Sequence, residues 1–244
     1  MRKLLLTICF LSLCASTAFA QNSDDYNRVE LYGGYSRASV QPNAEATTVF
    51  GSTVAQCSSA ATDILGRNYQ TSFCQRRGFN GFDASITYNF NRYFGIKGNV
   101  SGHSKTEPFT DFVFGNTETI NTKQRIYNFL GGVQVKDNGR TARFKPFAHA
   151  LFGAAVNTFR GVNTSAAIPE DNYTLRNRVT SFAMKLGGGI DLRLNRRVDL
   201  RLVELDYNPI FTRNFDISGF PFSPLSQTSR RANNFTIGFG IAFH

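Results

Sequence analysis

The stretch from Asn233 to His244, NNFTIGFGIAFH, sets Phe235, Ile237, Phe239, Ile241 and Phe243 at every second position. In an extended strand these five side chains share one face, and Thr236, Gly238, Gly240 and Ala242 share the other. A face this apolar must be covered by something other than water. The same period of two recurs in seven earlier segments, about 28–38, 79–90, 93–104, 123–136, 142–158, 178–194 and 198–210. In the second, Phe82, Ala84, Ile86, Tyr88 and Phe90 oppose Asp83, Ser85, Thr87 and Asn89. The segment 142–158 is apolar on both sides, so its pattern does not set a register. Each of the eight is long enough for the ~9–11 residues of a tilted membrane strand.

The connections alternate as well. Asn91-Arg92, Asp137-Asn138-Gly139-Arg140 and Asn195-Arg196 are short and carry the residues that hairpin turns require. The segments 39–78, 105–122, 159–177 and 211–231 are long and polar. All tight turns therefore fall at one end of the strands and all long loops at the other, the layout of a bacterial outer-membrane barrel. An antiparallel sheet with an apolar outer face can lie in lipid only if it closes, because an open edge leaves backbone donors unpaired in hydrocarbon. The expectation is an all-β, eight-stranded, antiparallel up-and-down transmembrane β-barrel, its last strand sealed against its first. A soluble lipocalin-like barrel is the rival fold, with the large apolar residues enclosed instead.

The N-terminus supports export. Arg2 and Lys3, the apolar run Leu4 to Leu13 and then Ala18-Phe19-Ala20 follow the order of a secretory signal, so residues 1–20 are expected to be cleaved and 21–244 to form one barrel domain. The chain holds 27 Lys and Arg against 17 Asp and Glu, and loss of Arg2 and Lys3 leaves a charge of +8. These basic residues are dispersed, and an exported chain meets anionic lipid rather than nucleic acid, so no nucleic-acid role is assigned. Cys57 and Cys74 remain after cleavage and are expected to pair in a disulfide, worth about 3 kcal/mol by loop-entropy arguments. No His or third Cys lies near them; no metal site and no cofactor are expected.

With its export signal, eight strands, the Gly33-Gly34-Tyr35 run and a final alternating aromatic strand, the chain resembles the small outer-membrane β-barrel proteins of the opacity-type porin family. The resemblance implies that the last strand, with Phe235, Ile237, Phe239, Ile241 and Phe243, is read by the barrel-assembly machinery. Family members usually end on an aromatic residue; here His244 follows Phe243. The peptidoglycan-binding domain that follows some such barrels is not expected.

An eight-stranded barrel is barely wide enough for its own side chains. Lys97, Lys185, Asp191, Arg193, Asp199, Arg201, Glu204 and Asp206 are assigned to the lumen as a salt-bridged plug. Arg201, Glu204 and Asp206 can all face inward only if a bulge near Val203 shifts the strand, and without it Glu204 faces lipid. Gly187-Gly188-Gly189 lacks the Lys and Ser/Thr of a phosphate loop and is read as relief of crowding. Tyr32, Tyr35, Tyr88, Tyr93, Tyr127 and Tyr207, with Phe90, Phe94 and Phe211, are placed in aromatic girdles at the two interfaces. Ser101, His103 and Glu107 can be drawn as a hydrolase set, but no catalytic residue is assigned, and His149 has no evident partner. Arg76, Arg77, Arg213, Arg230 and Arg231 are candidates for contact with lipopolysaccharide phosphates. The expected role is that of a monomeric structural or surface-binding barrel in contact with outer-membrane lipid. Ion-conducting porin is the first alternative and lipid A hydrolase the second.

Overall fold

Closure decides the architecture. In the computed structural model, which describes residues 26–41, 46–49, 52–55, 75–113, 116–139, 142–163, 174–211, 215–217, 225–228 and 231–244, twelve strands are defined. They are β1 (Val29–Val40), β2 (Ala46–Val49), β3 (Ser52–Ala55), β4 (Arg77–Asn89), β5 (Phe94–Val113), β6 (Asn116–Lys136), β7 (Phe144–Asn163), β8 (Thr174–Arg193), β9 (Val198–Phe211), β10 (Phe215–Ile217), β11 (Leu225–Thr228) and β12 (Ala232–Phe243). Eight of them form a closed barrel in the order β1-β12-β9-β8-β7-β6-β5-β4. The seal runs from Leu31 opposite Phe243 to Ser39 opposite Phe235, antiparallel like every other pairing. Each barrel strand thus has a hydrogen-bonding neighbour on both sides, as a bilayer demands.

Sidedness follows the alternation. Phe235 is 50% exposed and Phe239 56%, while Thr236, Gly238 and Ala242 between them are buried. Phe82, Ile86, Ile96, Phe129, Val133, Phe152 and Phe182 continue the same outer belt around the wall. The soluble rival would have enclosed these side chains. Tyr35, Tyr88 and Tyr93 also face outward, but Tyr32, expected in a girdle, lies inside at 4% exposure. It shares its parity with Glu30 and Ser36, the inward set of β1.

The tight turns are closed by side chains. Asn91 Oδ1 accepts hydrogen bonds from the Tyr93 and Phe94 amides at 2.8 and 2.9 Å, Asp137 Oδ1 from Gly139 at 3.0 Å, and Asn195 Oδ1 from Arg197 at 2.8 Å. Short Asn and Asp side chains satisfy backbone donors that a reversing chain leaves free.

At the other end two connections differ from expectation. The segments 105–122 and 159–177, read as loops, largely continue the strands: β5 and β6 stay paired to Val113 opposite Asn116, and β7 and β8 to Val162 opposite Thr174. The apolar alternation stops where lipid stops, but hairpin partners remain opposite one another, and the Thr and Ile residues there suit extended backbone. β5 to β8 reach 20 or 21 residues, against 12 to 14 for β1, β4, β9 and β12. Half the wall thus stands about 25 Å taller along the strand direction, at ~3.3 Å per residue. From the first and last long connections, β10, β11, β2 and β3 make a separate four-stranded sheet in that order. Strands of three or four residues are too short to leave a readable period. Cys57 and Cys74, residues 1–20, Arg213 and Arg230 lie outside the described residues.

The sidedness predicts that Phe239→Arg, which puts a charge on the lipid face of the closing strand, destabilises the barrel by about 2–4 kcal/mol near the bilayer midplane. Denaturant unfolding in lipid vesicles measures this. Thr236→Val, an inward change of similar size, should cost less.

Candidate functional site

The lumen is organised by one bulge. On β9, Glu204 opposes Gly238 and Arg201 opposes Gly240, so Leu202 and Val203 together face only Phe239. The same shift appears against β8, where Ile190 pairs with Val203 and Asp191 with Arg201. The extra residue sends Leu202 outward and brings Arg201, Glu204 and Asp206 all inside, as the charge pattern required.

Arg201 is fully buried, and each of its three guanidinium nitrogens is hydrogen-bonded. Its Nε donates to Asp191 Oδ1 at 2.8 Å, its Nη1 to Glu204 Oε2 at 2.8 Å, and its Nη2 to Glu30 Oε1 and Asp191 Oδ2, both at 3.1 Å. The guanidinium plane lies between two rings, 4.0 Å from the centroid of Tyr32 and 4.1 Å from that of Phe147. A planar cation that stacks on both faces and bonds at its edge is the chemistry of Arg and not of Lys. Gly189 makes the room: a Cβ there would come within 2.9 Å of the Phe147 ring and 2.0 Å of the Val203 carbonyl. Gly187 does the same for the Asp206 carboxylate, 2.1 Å from where its Cβ would be.

Other pairs extend from this centre. Toward the tight turns, Lys136 bonds Glu30 and, at 2.6 Å, Asp191; Lys145 reaches Asp199 at 2.9 Å, and His244 Nε2 lies 2.7 Å from the same carboxylate. Toward the loops, Lys97 stands 3.6 Å from Glu204, and Lys185 bonds Asp83 and, at 3.1 Å, Asp206. His149 Nε2 sits 2.9 Å from Asp206. Among the described residues, five buried Lys and Arg side chains thus meet six buried carboxylates. An isolated ion in such a place costs several kcal/mol, so near-neutral pairing is the condition for the lumen to fold at all. Donor atoms of His149, Glu204 and Asp206 lie within 4.8 Å of one another, as metal ligands would, but Lys97 and Lys185 already neutralise the two carboxylates. Toward the loops, Val40, Phe79, Ile126 and Ile210 form an apolar cluster inside the lumen, beside the polar side chains of Gln124, Asn157 and Asn234.

Several site assignments change. Arg193 does not join the network; it sits at the turn end of β8 and its Nε donates to the Asn195 carbonyl at 3.3 Å. The strand is already leaving the lumen there, which parity alone does not reveal. Arg77 faces inward, at 3.3 Å from Glu107 and 2.6 Å from Gln124, rather than outward toward lipid. Arg76 does lie outside, 5.2 Å over the lipid-facing ring of Phe235, and Arg231 is exposed. Ser101, His103 and Glu107 are not brought together: Asn128 donates to Ser101 at 3.1 Å, His103 Nε2 meets Ser36 Oγ at 2.8 Å, and Glu107 pairs with Arg77 and Lys105. Glu30, Asp83, Lys136 and Lys145 are members of the network that sequence reasoning left out. Asp83 was legible, since it alternates with Phe82; Lys145 was not, because its segment is apolar on both faces.

The network predicts that Arg201→Ala, which takes one cation from three buried carboxylates and leaves them only Lys136 and Lys97, lowers stability by about 3–5 kcal/mol. Arg201→Lys should recover only part of this, since it keeps the charge but loses the fork and the stacking. Urea midpoints in vesicles provide the comparison.

Geometry and comparison agree on the family. A family model described as outer membrane protein beta-barrel domain matches residues 6–243. No curated protein sequence matches the chain. Among solved structures, the chain is similar to Ail, the attachment invasion locus protein of Yersinia pestis, solved with the heparin analogue sucrose octasulfate. That match has 12% identity and a TM-score of 0.46, over 89% of this chain and 100% of that one. It is also similar to the outer membrane protein OprG of Pseudomonas aeruginosa, with 14% identity over 90% of this chain and 96% of that one and a TM-score of 0.42. Neisserial surface protein A matches with 11% identity over 88% and 96% of the respective chains and a TM-score of 0.42. The closed eight-stranded wall with its lipid-facing belt is therefore that of an outer-membrane protein, and the chain belongs to the outer membrane protein beta-barrel domain family.

Proposed function

We propose that the protein is a monomeric envelope barrel with a structural or surface-binding role, and that its lumen is a plug rather than a path. The observation that carries this reading is the stacked and ion-paired Arg201 inside the lumen. A conducting pore needs a continuous water-filled route, whereas here the cross-section is taken up by paired side chains. The hydrolase alternative loses its candidate residues, since Ser101 and His103 are buried and bonded to other partners.

Binding then falls to the outer surface and the loop end. Arg76, over the ring of Phe235, and the exposed Arg231 are positioned at the outer rim of the lipid belt, where a guanidinium fork suits lipopolysaccharide phosphates. Arg213 and Arg230 belong to the same proposal on sequence grounds. The outward row Phe235, Ile237, Phe239, Ile241 and Phe243 is proposed as the signal that the barrel-assembly machinery reads.

Planar-bilayer recording of the refolded protein tests the plug. The expected result is no stepwise current in the wild type. Well-defined single-channel steps in wild-type protein would overturn the reading in favour of a porin.

A further inference from the structure

The outer wall carries a second charge arrangement, away from the lumen. β6, β7 and β8 direct alternate residues outward, and toward the loop-ward edge of the apolar belt Phe129, Ala154 and Phe182 lie side by side across the three strands. Two register rows further toward the loops the outward residues are Arg125, Thr158 and Arg178; two positions beyond come Lys123, Arg160 and Arg176. All five basic side chains are exposed. Lys123 stands directly opposite Arg160, and Arg160 directly opposite Arg176.

Such a row is costly by itself. Side chains directly opposite on antiparallel strands have Cβ atoms about 4.5–5.5 Å apart, and like charges in that relation are destabilising. Among the described residues nothing relieves it: none of the five forms an ion pair with any of them. Among the described residues, the outward positions of β6, β7 and β8 hold no Asp or Glu. The contrast with the lumen is direct, since every buried cation there has a carboxylate.

Location names the counter-ion. The first basic row lies four residues above the Phe129–Phe182 row, about 13 Å along the strand, so it stands where hydrocarbon gives way to headgroups. The two rows cover three strands, about 10 Å across, enough to meet more than one phosphate. We propose that Lys123, Arg125, Arg160, Arg176 and Arg178 form a binding site for the phosphorylated sugar headgroup of an outer-leaflet glycolipid. Its acyl chains would lie along Phe129, Phe152 and Phe182. A soluble polyanion would have no use for that apolar surface directly below the charges. The site rests on the proposed lipopolysaccharide contact but is separate from Arg76 and Arg231, because β7 lies opposite β1 in the closed order.

The test uses the refolded full chain in detergent and diphosphoryl lipid A as probe, with retained lipid read by native mass spectrometry. The triple variant Lys123→Gln, Arg160→Gln, Arg176→Gln should bind diphosphoryl lipid A about tenfold more weakly, and wild-type binding should fall as salt rises. Dephosphorylated lipid A should bind the wild type and the triple variant alike. The double variant Arg125→Gln, Arg178→Gln provides an independent reading of the adjacent row. Both variants must keep the difference in gel migration between unboiled and boiled samples, which reports a folded barrel. Undiminished binding of diphosphoryl lipid A by both folded variants would overturn the site. If binding falls instead in Arg76→Gln, Arg231→Gln and in neither wall variant, lipid contact stands and this site does not. Displacement of the lipid by millimolar inorganic phosphate alone would mark a free-anion site and overturn the glycolipid assignment.

Discussion

A backbone amide in hydrocarbon has no water to turn to, and this deprivation governs the whole molecule. It requires β12 to find β1, because either strand left alone would present a row of unpaired donors to lipid. Closure with eight strands then leaves an interior about as wide as the side chains lining it. Once the outer face is surrendered to lipid, polar and charged residues can go only inward or to the rims. The narrow interior forces those charges into contact, and contact obliges them to cancel.

Arg201 shows how tightly these conditions interlock. Its edge is consumed by Asp191, Glu204 and Glu30 and its faces by Tyr32 and Phe147. The Phe147 ring fits because Gly189 lacks a side chain, and the Tyr32 ring because Gly240 does. Burial, stacking, pairing and glycine placement are one arrangement. A change to any one is felt by the rest, which is why the lumen is better described as a single cooperative unit than as a set of independent salt bridges.

How much of this the sequence disclosed varied with the length and purity of the pattern. The eight wall strands were legible because lipid on one side and a polar interior on the other impose a strict period of two, as in Phe82 to Phe90. The bulge was legible because Glu204 would otherwise have faced hydrocarbon. Where lipid ends the constraint relaxes, so the continuation of β5 to β8 above the belt carried no alternating signal, and neither did the short strands β2, β3, β10 and β11. Network membership was only half visible: parity located Lys97 and Lys185 inside, but pairing depends on registers between strands. His149 finds Asp206, and Lys136 finds Glu30, across sequence distances that no local pattern spans. Arg193 was misplaced because the strand end carries it out of the lumen, and Arg77 because it was read as loop, whereas β4 begins there and turns it inward with Phe79 and Asp83.

The extra residue at Leu202–Val203 has a consequence for how such a chain can change over generations. Elsewhere, adding or removing one amino acid in a loop lengthens or shortens a connection and leaves the wall intact. At this point a lost codon would merely turn the bulge into regular strand, with Arg201 and Glu204 two apart and both still inward, whereas one lost at Leu205 would exchange inside and outside for everything that follows, driving Asp206 and Asn208 into the lipid and Tyr207 inward. Descent can therefore rewrite the surface segments freely, in length as well as letter, while within this strand the numbering stays frozen except at this one step.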